Sequence, residues 1–464
     1  MEQFTLDTYS FLLKGALIFA SPMLLFSPKT RAGLKQKLGL IDESLASELK
    51  QCKKAIWIHT VSVGEFNGAY PLIEAIKAKY PSSALVISTT TKAGQKLAKE
   101  RAGHKAKVIY FPFDLPTVIN RFLSLINPTL VIIFETEIWP NFIDLCWSKQ
   151  IPVAIVNARM SPRSFKRYKL AKWFFAPVLK KLALIGTQSD AEAQHYKEIA
   201  GKDLPVKIFG NLKYDWPALI DNLASKELKS KIGITEDNLV IIAGSTHPEE
   251  EELILDTYRQ ALTDNELAFN NNQMTSQKNL KLIIAPRHPE RFDAVAKVIE
   301  NAGYNVCRFS KNEKLLGPND VYLLDTIGQL ANFYALATLA FVGGTIANVG
   351  GHNLLEPYLY AVPVVCGPHL FKTRETATIL SKEKALYIAN DAQEVKNKMI
   401  ELLQNENLRK QMGAIGQRWL ENNRGAVAKS IDAIAALFDE DKLKPDKSLT
   451  SNNSPTRKTE IMTK

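Results

Sequence analysis

The chain has 464 residues, 46% apolar and 23% charged, a globular composition at a length beyond one hydrophobic core, so two domains are expected. Its formal charge of +11 is compatible with nucleic acid, anionic lipid or a phosphorylated substrate and does not choose among them. Cys52, Cys146, Cys307 and Cys366 lie far apart without CxxC or Cys/His ligand spacing, which excludes a disulfide framework and suits reduced, mostly buried thiols in a cytosolic compartment.

The first element is an apolar run, Tyr9 to Phe26, interrupted among charged residues only by Lys14. A bilayer span takes roughly 17–25 residues, so the run is at the short end. It lacks a small-residue cleavage pattern, which argues against a removed signal peptide. Glu2 and Asp7 precede it, whereas Lys29, Arg31, Lys35 and Lys37 follow. That asymmetry predicts a membrane-anchor segment over 1–30 with the body on the cytoplasmic side. A surface-lying amphipathic helix or a buried core helix are the alternatives, and the basic flank is drawn to anionic headgroups in either membrane reading.

From Ala55 onward, apolar β-branched runs alternate with helical spacing: Ala84–Thr91, Lys107–Phe113, Leu130–Phe134, Ile151–Val156 and Val206–Phe209. A second series starts at Leu239 and continues at Lys281, Val321, Leu339 and Val362. Continuous apolar strands separated by helices predict parallel sheets covered on both faces. The expected fold class is α/β: two doubly wound Rossmann-like domains facing a cleft between their strand ends. We place the first domain at 31–215, a connection containing Pro217 at 216–235, the second domain at 236–440 and a disordered Ser/Thr/Asn/Lys/Pro-rich tail at 441–464. Asn265–Asn279 reads as a surface insertion.

Chemistry concentrates at the predicted strand ends. Ser62-Val63-Gly64-Glu65 matches a capping box, in which serine and glutamate satisfy free helix amides. The same Glu65, beside Gly64 and following His59, is also placed to act as a general base. Phe134–Phe142 puts Glu135 and Glu137 at the end of an apolar strand, two apart and so on one face if the strand continues; the alternative is charges that favour the next helix. Asn157–Phe175 gathers Arg159, Arg163, Lys166, Arg167 and Lys169 among aromatics, either for phosphates at a lipid surface or as a solvated helix face. Gly210–Asp215 carries the lone cation Lys213.

In the second half, Ala243–Glu252 offers Ser245 and Thr246 at a helix start, as phosphate contacts or as a plain N-cap. Pro286-Arg287-His288 adds an arginine able to grip a phosphate bidentately. Gly343–Pro357 joins paired glycines to Asn353 and Glu356, the latter placed for a ribose hydroxyl pair; the absence of G-x-G-x-x-G disfavours a nicotinamide cofactor. His59, His247, His288, His352 and His369 cluster at strand ends without any zinc spacing. Asp439-Glu440-Asp441 reads as solvated charge.

Taken together, HTVSVGE, FETEIWPN, NARMSPRS, GNLKYD, STH, PRHPERF, DTIGQL, FVGGT, GGHNLLE and GPH resemble the 3-deoxy-D-manno-octulosonic acid (Kdo) transferase family, membrane-associated glycosyltransferases of lipopolysaccharide assembly. The resemblance spans most of the chain. It implies a GT-B glycosyltransferase at the inner-membrane surface, moving Kdo from CMP-Kdo to lipid IVA with release of CMP. No metal or other cofactor and no nucleic acid partner are implied. On this resemblance Glu65 is the general base, and Glu135 and Lys213 stabilise the transition state. CMP contacts fall on Pro286, Arg287, Ile327, Gly328, Gln329, Asn353, Leu354, Leu355 and Glu356, with further donor contacts at Ser245, Thr246 and His288. One departure is GPHLFKT, where the family commonly has an asparagine–phenylalanine pair two residues after GPH. A nucleotide-sugar epimerase of the same fold and a non-enzymatic lipid-binding module remain alternatives at this point.

Overall fold

The computed structural model describes residues 2–19, 31–52, 55–103, 106–215, 220–270 and 279–437. The chain folds into two compact units, residues 1–215 with 424–464, and residues 216–423. Each is built on its own seven-stranded parallel sheet.

The first sheet contains β1 (Ile56–His59), β2 (Leu85–Thr89), β3 (Lys107–Tyr110), β4 (Leu130–Phe134), β5 (Val153–Ala158), β6 (Leu184–Thr187) and β7 (Val206–Ile208), in the order β3-β2-β1-β4-β5-β6-β7. Every residue of β1, β2, β4 and β5 is buried, as strands covered on both faces require. Alternation divides them between two layers. Trp57, Val131 and Ile133 join Phe111, Phe122 and Phe142 on one face; Ile56, Ile58, Ile132 and Phe134 point to the other. The indole of Trp57 meets Phe142 edge-on with ring centroids 5.2 Å apart. Truncating so large a buried side chain to alanine costs about 3–5 kcal/mol.

Helix α1 (Glu2–Phe19) lies along this unit. Leu6 and Ser10 are buried, Ser10 hydrogen-bonds Asn141 (3.1 Å), and the Tyr9 and Phe174 rings sit 5.7 Å apart. Tyr9 also hydrogen-bonds Asp114, whose carboxylate accepts the amides of Asn141 and Phe142. The opposite face exposes Phe4, Phe11, Leu12, Ile18 and Phe19. This corrects the expected anchor. Among the described residues no helix is long and apolar enough to cross a membrane. The helix starts at Glu2 and uses its hydroxyls on partners within the unit, so it is two-sided rather than apolar all round. Residues 20–30 of the expected anchor, including Lys29, lie outside the described residues. Lys37, expected in the headgroup-facing flank, is buried, its ammonium bonded to the Thr90 carbonyl at 2.9 Å.

After β1 the chain turns into α2 (Val63–Lys79). After β4 comes α3 (Pro140–Ser148), and after β5 the basic α4 (Pro162–Leu170) and α5 (Lys172–Leu179). Arg163, Lys166, Arg167, Lys169, Leu170 and Trp173 are exposed. Lys169 pairs with Glu198 at the surface.

The second sheet contains β8 (Leu239–Thr246), β9 (Leu280–Pro286), β10 (Asn305–Arg308), β11 (Asp320–Leu323), β12 (Leu339–Val342), β13 (Val364–Cys366) and β14 (Leu386–Ile388), in the order β10-β11-β9-β8-β12-β13-β14. Helix α6 (Glu250–Asn270) follows β8 and packs Ile254, Leu255 and Tyr258 into the core beneath Ile241, Leu282 and Phe341. Helix α7 (Ala426–Ala435), expected in the second domain, belongs to the first unit: Asp215 accepts the amides of Gly425 and Val427 (2.6 and 2.5 Å), and Ala426 and Ile434 join the α2 side of the first core. The tail from 441, Asp439–Asp441, 216–219 of the connection and most of the insertion (271–278) lie outside the described residues.

Candidate active site

Both sheets are parallel, and in each the strand order reverses at one place: between β1 and β4 in the first, between β8 and β12 in the second. Loops leaving the carboxyl ends of such a pair diverge and leave a crevice, the usual ligand position in this fold class.

In the first unit that position gathers Glu65, Glu135 and Glu137 with Lys213. Glu65 leaves β1 as the third residue of α2. Its amide bonds the Ser62 hydroxyl (3.5 Å), and its Oε2 accepts the Val61 amide at 2.7 Å. The capping box is therefore real, shifted back one residue on the return bond. It occupies one carboxylate oxygen. Among the described residues Oε1 meets no protein donor, and the side chain stays partly exposed. Burial pushes Glu65 up to about 7, with the charges of Glu135 and Glu137 adding to the rise and the Val61 bond and Lys213 opposing it.

Glu135 follows the last residue of β4 with φ 63°, a left-handed backbone that a non-glycine residue holds at a cost of order 1–3 kcal/mol. The strand has ended, so strand alternation does not place Glu135 and Glu137. The loop places them instead. Lys213 Nζ donates to Glu135 Oε1 at 2.6 Å. Burial, then the Glu135 charge, raises Glu137 as well.

Two residues that composition and motif spacing did not single out hold this arrangement. Gly68 lies inside α2, where a Cβ would come within 2.9 Å of Lys213 Cε and 3.1 Å of the Phe134 ring, so its bare face is the groove for the lysine stem. A glycine in a helix interior gives up about 1 kcal/mol against alanine, and that cost was the available signal. Asn157, at an irregularity of β5, accepts the Leu212 amide at 2.9 Å and so fixes the 3-10 turn Leu212–Tyr214 that carries Lys213. His59 is no part of the site: it is fully buried, stacked on Phe111 at 3.9 Å, bonded to Ser88, and burial holds it far below its ordinary value.

In the second unit, Pro286 ends β9 and Arg287 is exposed beyond it. Ile327 and Gly328 (φ 88°) are exposed after β11, and Gln329 precedes the turn at Leu330. Asn353 donates to Glu356 at 3.0 Å, while Leu354 and Leu355 are buried behind them. Burial pushes Glu356 up to about 7, opposed by the Asn353 bond and the Arg287 charge.

Ser245 and Thr246 lie within β8, not at a helix start; α6 begins at Glu250. The nest of free amides beside them is already filled. Fully buried Glu250 accepts from His247, Gly344, Thr345, Ile346 and Ala347 at 2.8–3.2 Å. Neighbouring Glu251, also buried, takes Arg291 through both oxygens at 2.8 and 3.1 Å. These acids are structural ligands, not solvated dipole charges. The side chains open to an anion at this edge are Arg287 and half-exposed His288; beside them His247 and His352 face each other with their Nε2 atoms 2.8 Å apart.

A carboxylate that titrates near neutrality, keeps one oxygen free and lies beside a lysine–glutamate pair can take a proton from a hydroxyl. The second unit offers an arginine and a carboxylate–amide pair suited to a phosphate and a ribose.

Residues 32–216 match the family model described as 3-Deoxy-D-manno-octulosonic-acid transferase (kdotransferase). The chain is 31% identical over 435 residues to the 3-deoxy-D-manno-octulosonic acid transferase of Haemophilus influenzae, covering 92% of this chain and 98% of that one. The C-terminal CMP-Kdo binding domain of WaaA from Acinetobacter baumannii is 32% identical over 42% of this chain and 95% of its own, with a TM-score of 0.37. A Listeria monocytogenes protein assigned as a UDP-N-acetylglucosamine 2-epimerase shares the two-domain fold (TM-score 0.50, 12% identity, 84% of this chain and 97% of that one). With near-complete coverage of a 31% identical relative, the chain belongs to the Kdo transferase family, glycosyltransferases of lipopolysaccharide biosynthesis.

Proposed function

We propose that the chain transfers Kdo from CMP-Kdo to lipid IVA with inversion at the sugar, releasing CMP. Glu65 takes the proton of the attacking lipid-sugar hydroxyl through Oε1, on the face of the Kdo ring opposite CMP. Lys213, oriented by Glu135, stabilises the charge that develops as the sugar–phosphate bond breaks. In the second unit Arg287 takes the phosphate, Glu356 and Asn353 the ribose, and the backbone around Pro286 and Ile327–Gln329 the remainder of CMP. The observation that carries the reading is the state of Glu65: pinned by one oxygen, open at the other, and half-ionised near pH 7. Base catalysis contributes roughly 10²–10⁴-fold, so alignment of donor and acceptor supplies the rest.

The acceptor is a lipid, and the exposed faces of the first unit suit a membrane surface. Phe4, Phe11, Leu12, Ile18 and Phe19 on α1 and Leu170 and Trp173 beside the basic α4 combine apolar and cationic groups. That combination favours lying in the headgroup region of an anionic leaflet, here the cytoplasmic face of the inner membrane.

The test is incubation of the purified protein with CMP-Kdo and lipid IVA, followed by mass spectrometry of the lipid and NMR of the new linkage. A mass gain of whole Kdo units with inverted anomeric configuration is expected. Turnover of the nucleotide sugar without acceptor, or lipid binding without any mass gain, overturns the proposal.

A further inference from the structure

We propose that His352 and Lys372 form a carboxylate subsite in the second unit, which recognises the donor sugar as an acid. The inference rests on the reading that this unit holds CMP-Kdo. That donor carries two anions, the phosphate and the carboxylate on the reacting carbon. The amide nest at the β8/β12 reversal is closed to both, because Glu250 fills it. Arg287 answers for one anion. The second needs another group within reach.

The loops bring that group together through backbone bonds. Gly350 and Gly351 donate to the Gly344 carbonyl at 3.1 and 2.7 Å, and Lys372 donates its amide to Gly350 at 3.0 Å. The His352 ring lies over Gly344, whose φ of 68° and missing Cβ, which would fall 2.9 Å from Nε2, make room for it. Residues 344, 352 and 372 are thus tied into one corner. His352 Nε2 faces His247 Nε2 at 2.8 Å with the rings coplanar within 3°. Two imidazoles at that distance share a single N–H between them, and that N–H is the donor an incoming acceptor can take over.

The charged groups around the pair are Arg287, His288, Arg291 and Lys372, against Glu251. Glu251 is already spent on Arg291. Arg287 also faces the Glu356 charge, whereas Lys372, its ammonium 5.9 Å from the Phe371 ring, meets no carboxylate partner among the described residues. Burial first, then these cations, keep both rings neutral, His352 at about 3 and His247 below its ordinary value. A carboxylate entering here accepts the N–H that the two rings share and pairs with Lys372. After transfer, CMP lacks that carboxylate, so the subsite loosens the product without touching the nucleotide contacts.

The experiment measures by calorimetry the affinity of the full-length protein for CMP, CMP-Kdo and the C1-carboxamide of CMP-Kdo, in wild type and in Lys372→Met and His352→Gln. Lys372 is exposed, so Lys372→Met keeps the fold even if His352→Gln disturbs it. Wild type is expected to bind the acid about tenfold or more tightly than the amide; each variant loses that preference and keeps its CMP affinity within about twofold. Equal weakening for CMP and CMP-Kdo, or an undiminished acid preference, overturns the subsite and leaves the donor reading standing. A wild-type protein that binds neither nucleotide overturns both.

Discussion

Replacing Glu65 by glutamine separates the two roles that the structure gives this residue. Glutamine keeps an oxygen for the Val61 amide, now 2.7 Å from Glu65 Oε2, and leaves the Ser62–Glu65 end of the box in place. What it loses is a basic oxygen. Losing the charged acceptor weakens that bond, but burial already disfavours the ionised form, so the glutamine variant should stay within about 1 kcal/mol of wild type, roughly 2 °C in Tm for a unit of this size. Loss of the base lowers kcat by about 10²–10⁴-fold. Alanine removes both roles and adds about 0.5–2 kcal/mol for the cap. The two variants are compared by CMP release in the presence of lipid IVA, by thermal melting and by CMP binding. Both should bind CMP as wild type does. Stability should also separate them from wild type with pH. The folded value of Glu65, about 7, lies above its free value of 4.5, so its contribution is whole below 4.5 and lost as pH rises through 7. Glutamine removes that slope. If the glutamine variant retains turnover while alanine loses turnover and Tm together, Glu65 is only a cap and the mechanism is wrong.

Three further outcomes follow from the same geometry. Wild-type kcat/KM should rise with pH through about 7 as Glu65 ionises, and Lys213→Met should move that rise to higher pH, because the lysine charge lowers Glu65; a rise that stays in place separates the two groups. Gly68→Ala drives a methyl to within 2.9 Å of Lys213 Cε and 3.1 Å of the Phe134 ring, so kcat should fall with CMP affinity intact and about 1–3 kcal/mol of stability lost to overpacking, read by melting and turnover. Glu250→Gln leaves five amides facing one carbonyl and an NH2, and should cost about 3–5 kcal/mol and most CMP-Kdo affinity by calorimetry; a variant that melts and binds like wild type would show the nest is not held by that charge.

The strands were legible because each is a short apolar run buried on both faces, a pattern that depends on residue type alone. The Glu65 cap was legible, since S-x-x-E is local chemistry. The failures share a cause: they depend on partners distant in the chain. Nothing near Glu135 announces a left-handed backbone at the residue that follows β4, whose own amide still bonds the Val156 carbonyl. Nothing in STHPEEEE says that the acid five positions after Ser245 turns back to fill a nest 94 residues away. Gly68 is informative only once Lys213 is known to lie over it. The N-terminal run reads as apolar by composition, but Ser10 and Tyr9 meet Asn141 and Asp114, and those bonds make one side of the helix an inward face. Helix α7 looks like a continuation of the second domain until Asp215 is seen to cap its start.

Why the reactive groups sit where they do follows from strand order. β1 and β4 are neighbours in the first sheet, yet their following helices belong to opposite layers, so the loops after Ile58–His59 and after Phe134 part from each other. Glu65, in the first turn after the β1 exit, and Glu135 and Glu137, in the loop after β4, are the acids at these two exits. Burial raises Glu65 most, and the charges of Glu135 and Glu137 add to the rise. Lys213 arrives from a third strand connection, held by Asn157 from β5, and neutralises Glu135 rather than Glu65. Had it paired with Glu65 instead, the carboxylate would be stabilised as an ion and weakened as a base. The cap finishes the selection: by holding Oε2 on Val61 it fixes the direction of Oε1 without consuming it. A strained loop, a bare helix position and a borrowed cap thus leave one oxygen of one glutamate without a protein donor among the described residues and in a fixed direction, the two properties that the proposed base requires at once.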